Sequence, residues 1–288
     1  MLINPNLTQQ ESFIYLLKLK LDQQTLDNFR NIKYVIMQGS KKRTLVLAQK
    51  LSHIILNINP NYFEPINLFA TSNFVAYRIG NILTVSHGMG NITIDCLLHS
   101  LTKLLYYAGN TDLEYIRVGT SGGIGVEAGS VIITQQAYMP NLQPYYQVYE
   151  LDQEIKIPTL MNDNLVQRII ASQPNNIDFT IRVGNSIAAD DFYLGQCRYD
   201  GAMLPRQDRI WRENFFQRIQ KLNIYNFEME STALAAFCYQ AQIPATMIAV
   251  TLLNRLYGDQ ITASNQQLAE YSDRSQSIAI NYLISQLK

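Results

Sequence analysis

A chain of 288 residues can bury a sizeable core, and 47% hydrophobic with 16% charged residues is the balance of a compact enzyme-like fold, not of a disordered chain. Lys plus Arg and Asp plus Glu each number 23, so bulk electrostatics give no reason to expect nucleic-acid binding. The opening "MLINPNLTQQES" lacks the basic-then-apolar order of a signal peptide, no apolar run approaches a membrane span, and no zinc-ligand spacing occurs; the widely spaced Cys96, Cys197 and Cys238 suit free thiols in a reducing cytosol.

In chain order, strand and helix patterns alternate. A strand over 33–38 leads through the basic turn Gly39-Ser40-Lys41-Lys42-Arg43 into a helix over 43–57. Strands over 74–79 and 82–86 precede "SHGMG" and a helix over 91–109. In that helix Ile94, Leu97, Leu98, Leu101, Leu104 and Leu105 recur at helical spacing, and Gly109 stands where a C-terminal cap belongs. The run "EYIRVGTSGGIGVEAGSV" (114–131) reads as a strand over 114–119, a glycine-rich turn, and the start of a strand over 130–136. A helix over 160–172, a strand over 179–187, helices over 207–222 and 231–242, a strand over 244–253 and a helix over 263–287 follow. No repeat, low-complexity block or linker divides the chain. The order predicts one α/β domain with a mixed sheet between helix layers, and ligands in such folds sit beyond the strand ends, where "SHGMG" and "VGTSGG" fall.

Arg117 is the conspicuous residue of that pattern. A guanidinium at the end of a buried strand is costly unless an anion or an internal partner meets it. Gly119-Thr120-Ser121-Gly122-Gly123 matches G-x-S-x-G, but a nucleophile elbow leads into a helix and its histidine follows the serine. Here a strand follows, and His53, His87 and His99 all precede Ser121. Gly123 to Ala128 matches G-x-G-x-x-A, again without the helix that would hold a pyrophosphate. An anion site fits better: Arg117 offers a planar fork, Thr120 a hydroxyl, and "GSKKR" opens a helix whose free amides attract anions. Each turn alone could be structural, "GSKKR" as a solvated loop and "RVGTSGG" with an internally paired arginine. Together they predict an oxyanion ligand at the strand ends.

"SHGMG", "IRVGTSGGIG", "DFYLGQCRYDGA", "NFEMES" and "VTLLNRLYGDQ" occur in the order and at the spacing seen in uridine phosphorylases, most like the animal-type enzymes, over about residues 30–288. The resemblance implies a three-layer α/β/α sandwich with a central mixed sheet, residues 1–288 forming a single nucleoside-phosphorylase domain. It implies phosphorolysis of uridine, and of deoxyuridine, to uracil and the pentose 1-phosphate in pyrimidine salvage. Inorganic phosphate is then the co-substrate, with no cofactor or metal. A cytoplasmic homodimer with a shared site is expected, the first ~25 residues serving as a dimer arm, with no nucleic-acid or membrane partner. By the same resemblance Gly39, Arg43, Arg117 and Thr120 bind phosphate, and Gln196 and Arg198 read the pyrimidine beneath a Phe192 ring. Met229 and Glu230 hold the ribose. Arg117, Thr120 and Glu230 are the residues expected to carry the chemistry. Without the resemblance, Met229 reads as core packing, Gln196 and Arg198 as solvated, and His87 and His99 as structural. Of the two carboxylates of the extended "NFEMES", Glu228 and Glu230, the resemblance picks Glu230 as the ribose ligand, while the other reads as a structural or surface carboxylate.

Two positions depart from the family pattern. Asn73 stands where the family carries an arginine reaching the neighbouring subunit's phosphate, and Leu16 where a histidine meets the neighbour's ribose 5′-hydroxyl. Both departures predict reduced turnover. The alternatives are a catalytically degenerate nucleoside-binding paralogue or partner protein and, more remotely, a purine nucleoside phosphorylase, whose base-protonating aspartate is replaced here by Asn254-Arg255.

Overall fold

The computed structural model describes residues 1–7, 11–59, 64–70 and 72–287. Its strands are β1 (Phe13–Ile14), β2 (Leu19–Lys20), β3 (Tyr34–Gln38), β4 (Ala76–Ile79), β5 (Ile82–Ser86), β6 (Glu114–Gly123), β7 (Val131–Tyr138), β8 (Tyr145–Glu150), β9 (Gln153–Pro158), β10 (Ile181–Ala188), β11 (Ile224–Glu228) and β12 (Ala245–Asn254). Its α-helices are α1 (Gln23–Asn28), α2 (Lys41–Leu56), α3 (Asn91–Tyr107), α4 (Asp163–Ala171), α5 (Arg209–Lys221), α6 (Ser231–Ala241) and α7 (Asn265–Leu287). The expected central elements are all present. Unforeseen are the hairpins β1–β2 and β8–β9 and helix α1, while β11 overlaps the segment read as extended "NFEMES". The polar "YYQVYE" and "QEIKIP" pair mainly with each other, outside the main sheet, so they carry no core-strand signature.

Eight strands form one mixed sheet in the order β11-β10-β7-β12-β6-β3-β5-β4. Both faces are apolar, and successive residues serve opposite layers, as the period of two requires. Val35, Met37, Tyr115, Met247 and Ala249 pack under α3 and α6. Tyr34, Ile36, Ile116, Ile248 and Val250 pack under α2, α4 and α7. The α/β/α sandwich follows directly.

Strand β6 corrects the sequence reading. It does not break into a turn at Gly119 but continues to Gly123; its parallel run along β12 shifts register beyond Ser121, and Gly122 and Gly123 also pair with β11. Strands β6, β12, β7, β10 and β11 thereby close on themselves. The glycines make room for this crossing: a Cβ on Gly123 would lie 2.9 Å from the Leu253 carbonyl, and one on Gly122 3.1 Å from the Arg255 side chain. Gly109, with φ of +86°, ends α3 one residue past its cap, as expected. Among the described residues no helix is long and apolar enough to cross a membrane, and the three cysteines are free.

Candidate active site

Strands β3, β5 and β11 each end where a helix begins, so α2, α3 and α6 bring their N-termini to one edge of the sheet, which favours negative charge there. The turns touch closely: a Cβ on Gly39 would stand 2.9 Å from the Gly88 carbonyl oxygen. A cavity of about 400 Å³ opens at this edge. Gly39, Arg43, Arg117 and Thr120 line one part of its wall, and Met229 and Glu230 another. Phe192, Gln196 and Arg198 complete the set, so every residue singled out for phosphate, ribose or base borders one space.

Arg117 points from β6 toward the α3–α6 layer, level with Met37 and Met247 on the flanking strands, and is 4% exposed. A guanidinium has five N–H donors. The Nε–H donates to His87 Nε2 at 3.3 Å; Nη1 donates to Met247 Sδ at 2.9 Å and stands 3.1 Å from Glu228 Oε2; Nη2 donates to Glu230 Oε2. One Nη2 donor is left over. The sequence left open whether Arg117 meets an anion or an internal partner, and the structure supplies internal partners. Gly119 serves this arrangement, because a Cβ there would lie 2.8 Å from Arg117 Nη1.

Glu228 and Glu230 converge on one partner. Strand β11 ends at Glu228, and the backbone turns at Met229 and Glu230 to start α6, which brings both carboxylates onto Arg117. Glu228 accepts from the Glu230 amide at 2.9 Å and the Ser231 amide at 3.1 Å, so it caps the helix that follows. Burial pushes its carboxyl up, Arg117 pulls it back, and the Glu230 charge raises it again. Glu230 Oε1 accepts from the Gly90 amide at 2.6 Å, at the start of α3.

Arg43 differs. It lies at the start of α2, half-buried, and its guanidinium has no hydrogen-bond partner among the described residues. Burial and the repulsion of Arg117 lower its pKa, with Glu230 opposing, so the group lacks a counter-charge of its own. The Thr120 hydroxyl, on the wall of the same cavity, likewise has no hydrogen-bond partner among the described residues. Ser121 is committed, donating to the Val250 carbonyl at 3.2 Å and accepting from Asn226 at 3.0 Å, which leaves no nucleophile-elbow geometry.

Gln196 and Arg198, read from sequence as solvated, are only 4% and 7% exposed. The short 3-10 turn Leu194–Gln196 holds the Gln196 backbone, whose carbonyl accepts from Arg255 at 2.7 Å. Its side-chain amide has no protein partner among the described residues. Arg198 donates twice to Asp200, at 3.0 and 2.8 Å, and to the Asp259 carbonyl at 2.6 Å, which leaves Nη1 unengaged; its guanidinium lies 4.6 Å from the Phe192 ring centroid. Arg255 and Asp259 are the support that sequence reasoning missed. Arg255 is fully buried, bonded to Asp259 at 3.0 Å, and Asp259 also binds Arg212 at 2.6 Å. "NRLYGDQ" places an Arg and an Asp four apart, yet only the fold shows what they brace. Asn254 borders a different cavity and accepts from the Gly125 amide at 3.2 Å, so the position compared with a purine-protonating aspartate is not on this wall. Among the described residues no group of three His, Cys, Asp or Glu side chains converges to hold a metal.

His87 is no bystander of the core: it accepts from Arg117 and is fully buried. Burial, with Arg117 and Arg43 adding to it, holds its pKa well below 6.5. The depressed native pKa means that below pH 6.5 the unfolded chain takes up a proton that the native one refuses. The stability owed to this group is therefore present above pH 6.5 and lost as pH falls toward the native value. Going from pH 7.5 to 5.5 should cost on the order of 1 kcal/mol from His87 alone. Urea denaturation of the native protein and His87→Gln at both pH values checks this, and equal pH slopes would contradict it.

A family model described as the phosphorylase superfamily matches residues 33–284. Uridine phosphorylase 1 of Mus musculus is 33% identical over 284 residues, covering 98% of this chain and 91% of that protein. A Schistosoma mansoni protein named inactive uridine phosphorylase B is 29% identical over 265 residues, covering 89% of this chain and 86% of that one. The solved structure of uridine phosphorylase from Schistosoma mansoni in complex with uracil matches with a TM-score of 0.92 at 29% identity, covering 99% of each chain. Sequence, sheet order and the convergence of these motifs on one cavity agree, and the chain belongs to the uridine phosphorylases of the phosphorylase superfamily.

Proposed function

We propose that the protein catalyses phosphorolysis of uridine, and of deoxyuridine, with inorganic phosphate as co-substrate and no cofactor, and that it works in the cytoplasm. The observation that carries this reading is one cavity whose wall carries donors with no partner among the described residues: the Arg43 guanidinium, the Thr120 hydroxyl, the Gln196 amide and Arg198 Nη1. Phosphate held by Arg43, Thr120, the spare Arg117 N–H and the Gly39 turn attacks C1′ of the ribose. As its oxygen–carbon bond forms, the C1′–N1 bond breaks and its electron pair stays on the base. Glu230, oriented by Arg117 and the Gly90 amide, accepts from the ribose hydroxyls beside Met229. Gln196 faces the base carbonyl and N3–H with one amide, and Arg198 donates to the other carbonyl, where negative charge builds. Fixed donors aimed at developing charge supply much of such a rate. The test is release of uracil from uridine with and without phosphate; release independent of phosphate would identify a hydrolase, and no release at all a binding protein.

A second reading, a site weakened at its subunit boundary, rests on a specific contact. The Ser72 hydroxyl donates to the Leu16 carbonyl at 3.0 Å, so Asn73 and Leu16 share one exposed patch formed by the β1–β2 turn and the loop before β4. Neither lines the cavity of its own chain. We infer that the N-terminal hairpin and the loop before β4 together form the edge by which a homodimer completes the site, the loop delivering the Asn73 amide and the hairpin the Leu16 isobutyl group where an arginine and a histidine belong. Asn73→Arg with Leu16→His should raise phosphorolysis about tenfold or more, mainly through lower KM values, since charge-assisted hydrogen bonds are the stronger ones. Steady-state kinetics of both proteins decide it; an unchanged KM for phosphate would show that these positions are not the handicap.

A further inference from the structure

Adjoining the turn that carries Gln196 is a second cavity, of about 330 Å³, which helix α5 also lines. Its apolar wall includes Trp211 and Phe215, stacked 5.3 Å apart with planes 7° from parallel. Arg198, Arg206 and Arg212 line it as well, and no carboxylate does. Arg198 and Arg212 are anchored by Asp200 and Asp259, but Asp259 is shared with Arg255, so three guanidiniums divide two carboxylates. Arg206 is exposed and has no ion-pair partner among the described residues, and the buried Arg212 Nε has no acceptor. A flat aromatic wall beside surplus positive charge is complementary to a flat ring that carries a negative group.

We propose that this cavity is a second small-molecule site, for a planar aromatic carboxylate whose ring packs against Trp211 and whose charge meets Arg206. Arg198 borders both cavities, so an occupant here acts on the side chain that reads the base. That coupling rests on the proposed function; the binding itself does not. It is reciprocal, because any change the occupant makes in base affinity must be returned in its own.

Trp211 is the single tryptophan of the chain, so its fluorescence reports this cavity. Titrating the native protein with 4-nitrobenzoate should give saturable quenching. Arg206→Gln should weaken that binding by roughly threefold, as for an exposed ion pair, and leave the affinity for neutral 4-nitrobenzamide unchanged. Saturating uracil should shift the nitrobenzoate Kd by a finite factor, and nitrobenzoate should shift the uracil Kd by the same factor. Linear, non-saturating quenching would overturn the site, as would equal affinities for the charged and neutral probes. Full displacement by uracil would overturn it too, by placing the probe in the first cavity, and a Kd indifferent to uracil would overturn the coupling. Saturable quenching in a protein without phosphorolysis would sink the proposed function and leave this site standing; phosphorolysis with only linear quenching would do the reverse.

Discussion

Arg117→Ala is expected to lose roughly a hundred- to a thousandfold in phosphorolysis and to destabilise the fold by about 3–5 kcal/mol. Both losses have one origin. Arg117 is the cation between the buried carboxylates Glu228 and Glu230, and it also donates to His87 and Met247. Removing it leaves two carboxylates facing each other in a water-poor layer, so one must take up a proton or the α6 start must open. Lysine should not restore function, because a point charge cannot satisfy four partners that a planar fork reaches at once. Arg43→Ala is the matched control. Arg43 has no protein partner among the described residues and lies near Arg117, so its removal should leave stability nearly unchanged or slightly raised while KM for phosphate rises at least tenfold. Urea denaturation together with phosphate kinetics separates the two. Equal stability losses would mean that Arg43 has structural partners of its own.

Gln196→Ala should lower kcat/KM for uridine roughly a hundredfold, the worth of two directed hydrogen bonds of which one faces developing charge, with little change in fold stability. The contrast follows from where Gln196 is held. Its backbone carbonyl is fixed by Arg255 and its turn by Leu194–Gln196, so the fold keeps what it needs when the amide is cut away. Discrimination between uracil and adenine should collapse mainly through weaker uracil binding, since a site that matches specific donors and acceptors loses most when one of them is missing. Calorimetric titration with both bases gives the answer. Unchanged uracil affinity would remove Gln196 from the base site, and adenine binding as tight as uracil in the native protein would remove the pyrimidine reading altogether.

How much of this was legible in the residues varies along the chain. The apolar pattern of α3, the helix end at Gly109, the strand runs 34–38, 82–86 and 245–254 and the mixed α/β order are local matters. Side-chain period and capping determine them wherever the segment ends up in space. The motifs carrying the candidate site were equally visible, because a ligand contact needs particular side chains on particular turns, and those survive as short strings such as "FYLGQCR" and "FEMES". What the string cannot hold is which groups neutralise each other. Arg117 and Glu230 are 113 residues apart, Arg255 and the Gln196 carbonyl 59, and Arg117 and His87 30. Strand β11 ends at Glu228 and α6 starts at Ser231, and only the tertiary structure shows that both carboxylates of this junction meet one guanidinium. The glycines after Arg117 looked like a turn because open conformational space and close backbone approach leave the same residue in a sequence. The fold decided for approach, packing Arg117 and Arg255 against Gly119 and Gly122. By itself, then, the sequence determined the central elements, the fold class and the motifs that line the cavity. Only the tertiary structure decided which arginine is already paired and which is still unpaired, since pairing depends on distances between strands that no local rule sets.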